Sequence, residues 1–131
     1  MQKDITIPQV EGVYVAAILE FNETHRTHDW NVYLINAKSE ALETIFIVSK
    51  GHDARQKTSV MRHKLAVLPA KSFAKVEFIE DSVLKLNNEF SVSFFLDGKL
   101  YDKTFVFKAN TIKETKLKEI PVIPEKGILA E

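Results

Sequence analysis

Phe90-Ser91-Val92-Ser93-Phe94-Phe95-Leu96-Asp97-Gly98-Lys99-Leu100-Tyr101-Asp102-Lys103-Thr104-Phe105-Val106-Phe107 is the stretch on which the fold turns. Phe90, Val92, Phe94 and Leu96 alternate with Ser91, Ser93 and Phe95, the period of two that belongs to a strand. On the far side of Asp97-Gly98, Tyr101, Phe105 and Phe107 share a face. Asp and Gly tolerate the positive φ angles of a two-residue turn whose twist matches paired strands, so residues 90–107 read as a β-hairpin. Full burial of a Phe or Val contributes about 1.5–3 kcal/mol, so these faces should anchor the core.

The same grammar extends outward in both directions. Residues 13–21 are a strong apolar run, closed by a polar stretch over residues 22–29. In residues 30–37, Trp30, Val32 and Leu34 oppose Asn31, Tyr33 and Ile35. In residues 43–49, Ile45 and Ile47 oppose Thr44, Phe46 and Val48. Both faces of these two strands are apolar enough to predict central positions. Residues 73–79 set Ala74, Val76 and Phe78 against Lys75 and Glu77. A helix over residues 71–87 is the rival reading; a strand followed by a turn is preferred. Ile5 and Ile7 could supply an edge strand, with Pro8 where an edge tolerates the missing donor. About seven strands at this spacing predict an all-β, two-sheet sandwich. It occupies residues 1–119, with an extended apolar tail over residues 120–131 as part of the same domain.

Composition removes several function classes. The chain has 131 residues, enough for one domain, and no Cys, which rules out disulfides, thiol nucleophiles and thiolate metal sites. Lys plus Arg number 18 and Asp plus Glu number 18, so any attraction to nucleic acid or membrane must be local. No apolar run approaches the ~18 residues of a membrane span, and the first residues lack a signal-peptide core. The plain reading is a cytoplasmic protein with no membrane contact.

Two resemblances follow from particular residues. Trp30-Asn31-Val32-Tyr33-Leu34-Ile35-Asn36, then residues 41–48, then Leu68-Pro69-Ala70-Lys71-Ser72 leading into residues 73–78, resemble bacterial immunoglobulin-like sandwiches. There a strand ends at an Asn and a Pro-containing corner introduces a later strand. The whole chain also resembles a family of small bacterial proteins of unestablished function, through that first phrase and Ser49-Lys50-Gly51, Lys57-Thr58-Ser59, Met61-Arg62-His63 and Asp97-Gly98-Lys99-Leu100-Tyr101. Some of its members are labelled as the α subunit of phenylalanyl-tRNA synthetase. A class II synthetase core needs a large antiparallel sheet with ATP-binding arginines, which 131 residues taken up by a sandwich cannot supply.

No motif specifies catalysis, a cofactor or a metal. Ser59, His63 and Asp53 are near in sequence, but no nucleophile-elbow sequence surrounds Ser59. His25-Arg26-Thr27-His28-Asp29 matches no established ligand spacing and reads as an exposed polar loop. Glu80-Asp81 reads as a solvated turn, and the four Gly form no phosphate-cradling loop. Pro121-Val122-Ile123-Pro124 has a P-x-x-P spacing without a flanking Arg.

The one charge anomaly is residues 50–64, where Lys50, Arg55, Lys57, Arg62 and Lys64 face a single acid, Asp53. With Thr58, Ser59 and His63 they form a candidate anion-binding loop, reaching phosphate or RNA by charge-assisted hydrogen bonds. The leading expectation is nonetheless a non-enzymatic binding or assembly module that forms a homodimer. Its apolar tail (Ile120, Val122, Ile123, Ile128, Leu129) is expected to help hold the pair; its own sheet is the simplest dock and a partner's sheet edge the alternative.

Overall fold

The structure, a computed structural model, describes residues 9–131. Eight strands follow one another: β1 (Val13–Asn22), β2 (Thr27–Asn36), β3 (Leu42–His52), β4 (Met61–Leu68), β5 (Ser72–Ile79), β6 (Asn87–Leu96), β7 (Lys99–Phe107) and β8 (Ile128–Leu129). They form two antiparallel sheets, ordered β5-β2-β1-β8 and β4-β3-β6-β7. The molecule is a two-sheet β-sandwich. The edge strand expected at Ile5 and Ile7 lies outside the described residues.

Local chemistry and long-range pairing agree at the β6–β7 hairpin. Leu96 pairs with Lys99, and Asp97 and Gly98 have φ of 51° and 73°, the left-handed values this turn requires. Phe90, Val92 and Phe94 then face Phe105 and Phe107 within the core, with Phe90 and Phe107 edge to face at 5.8 Å. Val13, Val15 and Ala17 of β1 and Trp30, Val32 and Leu34 of β2 complete the core from the first sheet; Ile45 and Ile47 of β3 join from the second. β2 lies between β5 and β1, and β3 between β4 and β6, the central positions their two apolar faces predict. Residues 72–79 are strand, and a short 3-10 turn at Asp81–Val83 follows; pairing with β2, ending at Trp30 and Ile79, outweighs the helical spacing.

The tail docks on its own domain. Ile123 and Ile120 cover Ala16, Ile18 and Ile35 on the outer face of the first sheet, forming a second apolar cluster. β8 pairs with β1, and Glu131 exchanges both backbone hydrogen bonds with Val106 of β7 at 2.9 Å each. One short segment thus closes the seam between the sheets on the β1/β7 side. Val122 supplies the bend, a γ-turn with φ 68° whose Ile123 N–H donates to the Pro121 carbonyl. Among the described residues, the outer face of the second sheet has no such cover.

Candidate functional sites around the β3–β4 hairpin

Nearly half of residues 50–64 is strand, which corrects the reading of the whole stretch as a loop. Lys50 to His52 end β3, Met61 to Lys64 begin β4, and only residues 53–60 form the loop. β4 is an edge strand, and edges accept charged residues that a central strand would not. Within the loop, Asp53 Oδ1 accepts the N–H groups of Arg55 at 2.7 Å and Gln56 at 2.8 Å. These bonds hold its carboxyl below the ordinary Asp range. Gly51 donates its N–H to Thr58 Oγ1 at 2.7 Å, and a Cβ at Gly51 would sit 3.0 Å from Thr58 Cγ2. That close approach favours glycine here.

The pleat then separates the eight basic-segment candidates. Lys50 lies on the outer face, 3.8 Å from Glu89, which also meets His52 at 2.8 Å. Arg62 and Lys64 lie on that face opposite Val48 and Phe46, with the Lys64 ammonium 5.5 Å above the Phe46 ring. Arg55, Lys57 and Ser59 are exposed on the loop, and Thr58 is half-buried against Gly51. His63 turns the other way, into the space between the sheets.

There it meets a residue that sequence alternation misplaced. Tyr33 pairs with Lys75 but Val32 pairs with Glu77, so Val76 is an extra residue, a β-bulge. Downstream of it the faces reverse. Glu77 points inward opposite Val32, while Phe78 points outward opposite Asn31. Glu77 Oε1 accepts the Ser49 hydroxyl and lies 2.8 Å from His63 Nε2, linking β5 of one sheet to β3 and β4 of the other. The trio stands in a cleft of about 620 Å³ along the β4/β5 seam, walled by Val76, Ile79, Val83 and Phe90, with Thr58 and Ser59 at its mouth. The Ser59–His63–Asp53 grouping does not assemble, since His63 pairs with Glu77 and Asp53 serves its own loop. A nucleophilic relay sets the imidazole between hydroxyl and acid. Here the carboxylate occupies that middle position.

His25 to Asp29 is only partly a loop, since Thr27, His28 and Asp29 begin β2. Hydrogen bonds from Asn22 and Thr27, each 2.9 Å, hold the Asp29 carboxyl below its ordinary range, and His28 packs on Phe21. Among the described residues no group of three His, Asp or Glu side chains is placed to hold a metal ion.

The remaining feature is apolar. On the outer face of the second sheet, Phe46, Val67, Phe95 and Leu100 are 45%, 53%, 38% and 53% exposed. Two rows cross all four strands at neighbouring levels: Val67–Glu43–Phe95–Leu100 and Lys64–Phe46–Ser93–Asp102. The signal for this face was present in Phe95, a large apolar residue on an otherwise polar face of its strand, and in Phe46 beside Val48 on β3. No helix among the described residues is long and apolar enough to cross a membrane. No family model, curated protein or solved structure matches the chain.

Proposed function

We propose that this chain is an immunoglobulin-like, cytoplasmic, non-enzymatic assembly module that pairs with a second copy of itself through the outer face of its second sheet. The strand order supports the immunoglobulin-like reading: β1, β2 and β5 in one sheet, β3, β4, β6 and β7 in the other, with crossovers between. The observation that carries the function is the exposed set Phe46, Val67, Phe95 and Leu100 on a sheet face that no described residue covers. Solvent is a poor environment for such a patch, and self-complementary pairing is the commonest way to remove it.

The charges select a geometry. A twofold axis running along the strands, between two copies, lays β4 of one over β7 of the other at the same level. Val67 then meets the partner's Leu100, and Lys64 meets the partner's Asp102. Four strands of 8 to 11 residues make a face of roughly 20 by 30 Å. That is the small end of specific interfaces, so dimerisation in the range of about 10–500 μM is expected.

Sedimentation velocity across that range should show a concentration-dependent dimer. Leu100→Glu should return it to monomer without lowering the melting temperature. Lys64→Glu and Asp102→Lys should each weaken the dimer, and the double reversal should restore it. A wild-type protein that stays monomeric at about 500 μM overturns the reading.

A second reading rests on Arg55, Lys57 and Arg62, which form no ion pair among the described residues. If these cations grip an anion or RNA, anisotropy of a labelled single-stranded RNA rises on binding and falls steeply with salt. Replacing all three by Ala abolishes it. No binding to any polyanion at low salt removes this alternative.

A further inference from the structure

We propose that the cleft between β4 and β5 is a binding site for a small organic cation, a primary ammonium carried on an apolar or aromatic body. The two seams of the sandwich are treated differently. The tail closes one with β8 and the Glu131–Val106 bonds. Among the described residues the other stays open, and across it stands the Glu77 carboxylate. Withdrawing a carboxylate from water is expensive unless its partners compensate. A bulge at Val76 is what turns Glu77 inward, and bulges at sheet edges commonly re-aim a side chain beside a site.

The chemistry of the cleft selects the ligand. Both protein hydrogen bonds to Glu77 land on Oε1, so Oε2 has no protein donor among the described residues. That oxygen can receive an ammonium. Lys50 also lines the cleft, but its ammonium stands 3.8 Å from Glu89 on the outer face. Glu80 adds a second carboxylate to the lining. Val76, Ile79, Val83 and Phe90 supply the apolar wall for the body of the ligand. At about 620 Å³, the cleft lies within the range of small-molecule sites.

The test is a chemical-shift titration of the full chain with phenethylamine, and with 3-phenylpropionate as a probe of similar size and opposite charge. Phenethylamine should produce saturable shifts at Ser49, Gly51 and Glu77. The carboxylate should bind at least about tenfold more weakly, as should phenethylamine to Glu77→Gln, given what a charged hydrogen bond contributes. The charge comparison uses the wild-type protein, so it holds even if the variant folds poorly. No saturable shift by about 20 mM phenethylamine, or equal binding of the two probes, overturns the proposal. So does undiminished affinity in a folded Glu77→Gln.

Discussion

Asn36, at the end of β2, is fully buried, and its amide is the knot of one end of the sandwich. Its Nδ2 donates to the carbonyls of Glu40 at 2.8 Å, Pro69 at 3.0 Å and Leu68 at 3.2 Å, and its Oδ1 accepts the Lys38 N–H at 3.0 Å. The β2–β3 turn and the Pro corner between β4 and β5 are joined through this one side chain. Asn36→Ala strands at least two of those groups away from water, at about 1–3 kcal/mol each, so a loss of roughly 2–4 kcal/mol is expected after partial relaxation. An entropy of unfolding of about 2.1 cal/mol/K per residue makes 1 kcal/mol worth about 3–4 °C for a chain of 131 residues. The melting temperature should therefore fall by roughly 7–14 °C. Asn36→Asp keeps the shape but turns a carboxylate toward three carbonyl oxygens, which raises that carboxyl's pKa in the folded state. A raised folded pKa costs stability as pH climbs past the unfolded value of about 3.9. The Asp variant should thus be less stable than the Ala variant at neutral pH, and the gap should narrow toward about pH 4. Circular dichroism melts at several pH values, with urea m-values to confirm an unchanged unfolding surface, measure this directly. A fall below about 2 °C for Asn36→Ala would show that the corner is held by packing and that the amide network is incidental.

Three other outcomes follow from single features. Deleting residues 121–131 removes Ile123 from its cover of the first sheet and Ile128 from the main core, so a loss of about 3–6 kcal/mol is expected. The dimer, if formed through the second sheet, should survive; an unchanged melting temperature would contradict the docked tail. Burial, and then donation of its hydroxyl to Glu20 Oε1 at 2.6 Å, push the Tyr33 phenol well above its ordinary value. The stability this brings is present below the unfolded pKa of about 10 and lost as pH rises beyond it, so Tyr33→Phe should flatten the alkaline limb of the melting profile. Identical slopes between about pH 9 and 12 in both proteins would refute that. Gly98 has φ 73° and no atom within 4 Å of an added Cβ, so Gly98→Ala tests backbone strain alone and should cost about 1–2 kcal/mol. A rise in melting temperature would be the wrong sign.

What the sequence by itself determined was whatever depends on neighbours a few residues apart. The Asp97-Gly98 hairpin was legible because turn chemistry and alternation coincide within 18 residues, and the central places of β2 and β3 because both their faces are apolar. The Asn36 and Pro69 phrases were visible as a pattern, but their partnership spans 33 positions and appears only as a hydrogen bond. The tail's apolar character was readable; that it would close one seam of its own sandwich was a matter of which edge lay free. The basic segment shows the limit most clearly. Composition grouped Arg62, His63 and Lys64, whereas an edge strand's pleat sends His63 toward Glu77 and its neighbours to the opposite face. Glu77 was hidden for a related reason. Alternation with a period of two carries no mark of a one-residue bulge, and the bulge at Val76 reverses every face downstream of it. The rows from β4 to β7 that carry the exposed apolar residues likewise join positions far apart in the chain. Side-chain direction within a strand is local information, but register, bulges and the order of strands are set by pairing between distant segments, so both the open cleft and the exposed sheet face came into being only with the tertiary fold.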